Sequence, residues 1–72
     1  MSESDVEHLV TMANQIAEHL SHGVADDATA ADKTVNHIKR FWARSMKQKI
    51  KAYATAGGAE LSTVASLAVE RL

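Results

Sequence analysis

The segment HIKRFWARSMKQKIKAY, residues 37–53, holds the only Phe, the only Trp and the only Tyr of the chain. It also carries six of the eight Lys and Arg residues and contains no Asp or Glu. Its apolar positions recur at helical spacing, so the segment predicts helix on both sides of residues 43–45. Whether the chain breaks at 43–45 or continues as one helix is left open by the sequence.

The composition of the whole chain favours helices and a single domain. There is no Pro, there are only three Gly, and Ala is abundant among the 46% of residues that are apolar. Ala has the highest helix propensity of all residues, and the β-branched residues are scattered rather than alternating. We therefore predict an all-α fold, a small bundle of three to four short helices in one domain covering residues 1–72. Its short loops predict roughly antiparallel neighbours.

Local capping signals place the first two helices. Ser4 followed by Glu7 is a capping box, which predicts a first helix over about residues 5–21. Gly23 would close that helix, because Gly adopts the left-handed conformation that follows many helix ends. Asp26 and Asp27 suit the start of a second helix through capping and the helix dipole. The apolar stripe of that helix consists of Ala28, Ala31, Val35 and Ile38 and runs on toward Phe41 and Trp42.

The same signals place two further helices. Ser45 is the predicted cap of a third helix, whose apolar positions are Met46, Ile50, Tyr53 and Ala54. The pair Gly57-Gly58 would stop it, since Gly tolerates the positive φ of helix ends. Ser62 would then cap a short fourth helix that carries Val64, Leu67, Ala68 and Leu72.

Several classes of function find little support in these residues. The chain has no Cys, so disulfides and thiolate metal ligands are excluded. The acidic start MSESDVEHLV does not have the pattern of a signal peptide, and no apolar run reaches the length of a membrane span. A net charge of −1 provides no overall attraction to nucleic acid or to membranes. We expect a cytoplasmic protein.

Catalytic and metal sites are not predicted. His8, His19 and His22 could share one side of the first helix, but a closed zinc site needs four ligands, so we interpret these His as solvated or capping residues. The Ser and Thr residues lack the glycine-framed turn of a nucleophile, and Gly57-Gly58 belongs to no phosphate-binding motif. We predict no catalytic, cofactor-binding or metal-ligating residue in this chain.

The basic segment is the most informative feature for function. If a helix covers residues 40–51, the cations Arg40, Arg44, Lys47 and Lys51 form one stripe, and Trp42, Met46, Ile50 and Tyr53 form another beside it. This pattern indicates a protein-docking surface with an exposed Trp42, because Trp, Tyr and Arg dominate interface energies. For Phe41 and Ile50 we favour a place in the core. The alternative is a nucleic-acid-binding or self-associating regulatory protein that uses residues 39–51.

Three motifs carry a resemblance to a known family. LVTMANQIA at 9–17, HIKRFWARSM at 37–46 and AYATAGGAELSTVASLAVERL at 52–72 resemble the delta subunit of NAD-dependent formate dehydrogenase. The resemblance extends over residues 6–72. The family pattern has Asp-Pro after the Trp, where this chain has Ala43-Arg44, so the turn is expected to be shifted or absent here. The family also has Asp-Pro before the last helix, where this chain has Ser62-Thr63.

The resemblance implies a non-catalytic accessory subunit of an oxidoreductase complex. In that family the alpha subunit holds the molybdenum or tungsten cofactor and iron–sulfur clusters, and the beta and gamma subunits carry FMN, further clusters and the NAD site. This chain would bind and stabilise those subunits or assist their assembly and cofactor maturation, without nucleic acid or membrane partners. The clustering and the family motif together predict that the contacts come from Arg40, Phe41, Trp42, Arg44, Tyr53, Asn14 and Gln15.

Overall fold

The computed structural model describes residues 3–72, with side chains from Asp5 onward. This part of the chain forms four α-helices and no strand: α1 (Glu3–Ser21), α2 (Asp27–Phe41), α3 (Arg44–Thr55) and α4 (Thr63–Glu70). The predicted all-α bundle of three to four helices is therefore confirmed, with four helices in the described part.

The first helix is longer than predicted at its start. Because α1 begins at Glu3, Ser4 lies inside the helix and does not precede it as the capping box required. The side chain of Ser4 lies outside the described part of the chain. The end at Ser21 agrees with the prediction, and Gly23 follows it with a φ of 74°. A residue with a Cβ would be strained at that φ, which explains why Gly stands there.

The start of α2 follows the predicted capping chemistry. Asp26 is the N-cap residue in an extended conformation, and its Oδ1 accepts a hydrogen bond of 2.7 Å from the amide of Thr29. This bond satisfies one of the amides that the first turn of a helix leaves without an intrahelical partner. Asp27 then adds a negative charge to the first turn, where the helix dipole favours it.

The chain breaks between α2 and α3 at Trp42 and Ala43. Trp42 is extended, with φ −89° and ψ 142°, while its amide still donates to the carbonyl of Ile38 at 3.0 Å. Ala43 is the N-cap residue of α3 and supplies no side-chain hydrogen bond. The prediction that Ser45 caps α3 is wrong, because Ser45 lies within the first turn. The turn therefore forms without the Pro of the family pattern.

The segment between α3 and α4 is closed by local hydrogen bonds. The amide of Gly57 donates to Ala54 at 3.1 Å and that of Gly58 to Tyr53 at 3.0 Å, and both Gly have positive φ values of 129° and 55°. The predicted stop at Gly57-Gly58 is thus confirmed. Ser62 caps α4 as predicted, since its Oγ accepts from the amide of Ala65 at 3.2 Å.

The core forms around α1 and α4. Each of these two helices packs against the remaining three, whereas α2 and α3 contact each other little, so the α2–α3 pair departs from the predicted packing of neighbours. The main cluster consists of Leu9, Val10, Ala13, Ala17, Ile38, Trp42, Ile50, Ala65 and Val69. A smaller one joins α2 to α4 through Ala31, Val35 and Ala68. Within residues 3–72, no helix combines the length and the apolar character that crossing a membrane requires.

Candidate interaction surface

The end of α2 places two consecutive aromatic side chains in opposite environments. Phe41 is 68% exposed, while Trp42 is 6% exposed and belongs to the main core cluster. Phe41 is the one large apolar side chain that is exposed among those described. The sequence predicted an exposed Trp42 and favoured a buried Phe41, and both expectations are wrong. The reason is that Trp42, four residues after Ile38 and seven after Val35, continues the buried stripe of α2, whereas Phe41 lies about 100° away around the helix axis.

Phe41 contacts two side chains of its own helix. The ring of His37, one turn earlier, has its centroid 4.7 Å from that of Phe41 at an interplanar angle of 43°. The guanidinium carbon of Arg40 lies 5.7 Å from the Phe41 centroid, within the range of a cation–π interaction. Arg40 is itself exposed. We call His37, Arg40 and Phe41 the Phe41 knob; it combines an apolar face with a fixed positive charge.

A basic groove lies beside the knob. Its volume is about 340 Å³, and it is lined by Lys39, Arg44, Lys47, Gln48, Lys51 and Leu72. Lys47 on α3 donates from its Nζ to the carbonyl of Lys39 on α2 at 3.4 Å, so one hydrogen bond joins the two helices across the groove. Leu72 packs its side chain against both core clusters and supplies the apolar part of the lining.

No acidic side chain from Asp5 onward neutralises the positive charge of this region. Residues 33–59 contain no Asp or Glu, although every Lys and Arg except Arg71 lies in that stretch. Among the described side chains, the one ion pair joins Arg71 to Asp32, away from the groove lining. Both the knob and the groove therefore present cations that have no acidic partner in the described part of the molecule.

Two of the predicted contact residues have internal structural roles. Asn14 on α1 donates from Nδ2 to the carbonyl of Glu60 at 2.8 Å and accepts at Oδ1 from the amide of Ser62 at 2.8 Å. The Tyr53 hydroxyl accepts from the amide of Glu60 at 3.3 Å. These side chains hold the turn before α4, a role that sequence reasoning missed because the partners are backbone groups some 46 to 48 residues distant from Asn14. Gln15 is exposed on α1.

The predicted contact residues thus divide into separate groups. Arg40, Phe41 and Arg44 lie at the α2–α3 corner and are exposed, with Trp42 buried among them. Asn14 and Tyr53 meet at the turn before α4. In the sequence, the second group was indicated only by Asn14, a polar residue beside the apolar stripe of the first helix. Its position there does not show which groups it binds.

A second cleft, of about 620 Å³, lies between α1 and the start of α4. It is lined by polar and acidic side chains that include Asn14, Glu18, His22, Asp27 and Glu60. His22 lies near His19, with their ring centroids 6.3 Å apart. Across the described residues, no three His, Asp or Glu side chains come close enough together to hold a metal ion. Because the chain also lacks Cys, its residues do not fit an iron–sulfur cluster.

Fold and surface together define a small all-α protein whose exposed features are an aromatic knob and a basic groove. The sequence profile of the NADH-dependent formate dehydrogenase delta subunit family, FdsD, matches residues 8–69. The chain therefore belongs to this family, as the resemblance indicated. Comparison with curated proteins and with solved structures returned no match.

Proposed function

We propose that the chain is a non-catalytic accessory subunit of a cytoplasmic NAD-dependent formate dehydrogenase. It binds the catalytic subunits and stabilises them or assists their assembly and cofactor maturation. The observation that carries this proposal is the family match over residues 8–69. The molybdenum or tungsten cofactor, the iron–sulfur clusters, FMN and the NAD site belong to the alpha, beta and gamma subunits in this proposal. The contribution of this chain is a binding surface.

The Phe41 knob is the part of the surface best suited to contact a partner. A single exposed apolar residue is common on protein surfaces, so exposure alone is a weak argument. Phe41, however, packs against His37, lies within cation–π distance of Arg40 and is followed by the buried Trp42, which anchors the backbone there. A Phe side chain has only two rotatable bonds, so it loses little conformational entropy when it is buried at an interface. Aromatic and Arg side chains are also the commonest energetic hot spots.

The seven predicted contact residues therefore take different parts. Phe41 fills an apolar hollow of the partner and Arg40 pairs with a carboxylate at its rim, while Arg44 pairs with a carboxylate of the partner from the groove lining. Trp42 acts from the core by positioning Phe41. Asn14 and Tyr53 act by holding the turn before α4, and Gln15 adds a polar contact from α1.

Co-purification with the catalytic subunits tests this function. The tagged chain is expected to retain large subunits with formate-dependent NAD reduction. Phe41→Ala should weaken the association by about 2 kcal/mol, roughly 30-fold, as for an aromatic hot spot. Thr11→Ala, an exposed position on α1, is the matched surface control. Recovery of the chain alone, or only as a dimer with itself, would contradict the proposed function.

Equal co-purification of Phe41→Ala and the wild-type chain would contradict the role of the knob and leave the accessory function intact. Circular dichroism of each variant establishes that the fold is retained, so that a loss of binding is assigned to the surface.

A further inference from the structure

We infer that the basic groove binds a short acidic segment of a catalytic subunit, as a second contact distinct from the Phe41 knob. This inference rests on the proposed function and deepens it by naming the chemistry of the partner. Three properties of the groove support it: its unpaired cations, its dimensions and the apolar side chain of Leu72 in its lining.

The cations of the groove have the arrangement that recognises successive carboxylates. Arg44, Lys47 and Lys51 project from one side of α3 at intervals of three and four residues, and Lys39 adds a charge from the end of α2. None of them has a carboxylate partner among the described side chains. Lys47 is already oriented by its hydrogen bond to the carbonyl of Lys39, which leaves two ammonium protons for an acidic ligand.

The dimensions of the groove favour a segment of a few residues. With a rise of about 1.5 Å per residue, Arg44 and Lys51 are separated by about 10 Å along α3. An extended chain of about four residues covers that distance. Leu72 lies in the lining and is half-buried, so an apolar side chain of the segment has a surface against which to pack. The preferred occupant therefore carries two or three carboxylates and one apolar residue.

A nucleic acid fits the molecule less well than an acidic peptide does. The chain as a whole carries a net charge of −1, and its acids are concentrated outside residues 33–59. The second cleft presents Glu18, Asp27 and Glu60. A long polyanion that extended beyond the groove would meet these carboxylates, whereas a segment of a few residues ends before it reaches them. The lack of excess positive charge also lowers non-specific attraction to phosphate backbones.

Zero-length cross-linking of the complex tests the inference directly. A carbodiimide activates a carboxylate, and the neutral amine of a Lys in contact with it displaces the urea to form an amide, so cross-links mark contacting pairs. After treatment of the co-purified complex, mass spectrometry should place cross-links from Lys47 and Lys51 to Asp or Glu of a catalytic subunit. Lys33 and Lys49, which lie outside the groove lining, should give none or far fewer. Cross-links confined to Lys33 and Lys49 would overturn the inference.

Charge-reversal variants supply the energetic test. The double variant Lys47→Glu with Lys51→Glu should weaken the association about 100-fold, because like charges then face each other across the interface. The double variant Lys33→Glu with Lys49→Glu has the same net charge and should retain binding within a few fold. The double variant Lys47→Arg with Lys51→Arg keeps the charge, so it should bind while losing the cross-links. Equal losses in both Glu variants would mean a general charge effect and overturn the groove inference.

The outcomes separate this inference from the proposed function. If the wild-type chain brings down no catalytic subunit, the proposed function fails and the groove inference fails with it. If the complex forms equally well with the Lys47→Glu and Lys51→Glu double variant, the function stands and the groove inference is overturned. The groove inference also fails if the wild-type chain binds a DNA or RNA duplex and the Lys47→Glu and Lys51→Glu double variant loses that binding while still binding the catalytic subunits. Cross-links between two copies of this chain would also overturn the groove inference, because they would show that the groove binds a second copy.

Discussion

Phe41 and Trp42 are bonded neighbours, yet Phe41 exposes 68% of its surface and Trp42 only 6%. Trp42 lies four residues after Ile38 and seven after Val35, so it continues the buried stripe of α2, and its amide still donates to the carbonyl of Ile38. Consecutive helical residues differ in direction by about 100°, so Phe41 lies outside that stripe, as the exposed Lys39 does beside the buried Ile38. Position on the helix thus places one aromatic in the core and the other at the surface, and the extended conformation of Trp42 (ψ 142°) then redirects the chain toward α3.

Truncating these two residues should have very different effects on stability. Trp42→Ala is expected to lower the free energy of unfolding by about 3–5 kcal/mol, as for a large buried aromatic. Phe41→Ala should change it by less than about 0.5 kcal/mol, as for an exposed residue. Urea denaturation followed by circular dichroism measures both. A larger loss for Phe41→Ala than for Trp42→Ala would contradict the assignment of core and surface.

Asn14 should stabilise the bundle through the turn before α4. Asn14→Ala removes both hydrogen bonds to that turn, and at about 1 kcal/mol for each we expect a loss of about 2 kcal/mol in the free energy of unfolding. The adjacent Gln15→Ala, at an exposed position, is the matched control and should be nearly neutral. Amide hydrogen exchange provides a local measure, since Ser62 loses its acceptor in Asn14→Ala. Unchanged protection of the Ser62 amide would argue against this bond.

A capping side chain at position 43 should raise the free energy of unfolding, because the start of α3 has no side-chain cap. Ala43 has the extended conformation of an N-cap residue, with φ −65° and ψ 153°, but offers no acceptor. Ala43→Ser and Ala43→Asp should each raise the free energy of unfolding by about 1 kcal/mol, with Asp slightly ahead because of the helix dipole. Ala59→Ser, at an exposed position between α3 and α4 that is not an N-cap position, is the control. Thermal unfolding reports the change, and no gain from Ala43→Ser would refute the capping argument.

Asp26 should make the free energy of unfolding depend on pH in the acid range. The amide of Thr29, and secondarily its hydroxyl, hold the pKa of this carboxyl below the ordinary 3.8 by hydrogen bonding to the ionised form. Because the folded pKa is the lower one, the contribution is present above 3.8 and is lost as the pH falls through the folded value. Asp26→Asn keeps a capping oxygen but does not titrate. Wild type should therefore lose more stability than Asp26→Asn between neutral and strongly acidic pH.

The two proteins are compared by urea midpoints at matched ionic strength. Parallel loss of stability in wild type and Asp26→Asn would show that other carboxylates control acid unfolding and that the cap contributes nothing to it.

Elements whose chemistry is local could be predicted from the sequence. Asp26 and Ser62 cap α2 and α4 because an acceptor there meets an amide three residues on, and Gly23 and Gly57-Gly58 follow helix ends because of their φ values. Ser4 and Ser45 have the same capping chemistry but were assigned wrongly. In both cases the helix begins earlier in the chain, so the residue lies inside it.

The sequence by itself determined the helical class, the number of helices to within one, the absence of thiolate chemistry and the segregation of charge between the two halves. Only the tertiary structure decided which aromatic is buried, which cations border a groove and what Asn14 binds. The physical reason is distance along the chain. Helix capping and periodicity act over three to four residues, whereas Trp42, Leu72 and Asn14 are placed by helices far away in sequence, whose packing directions a local pattern does not contain.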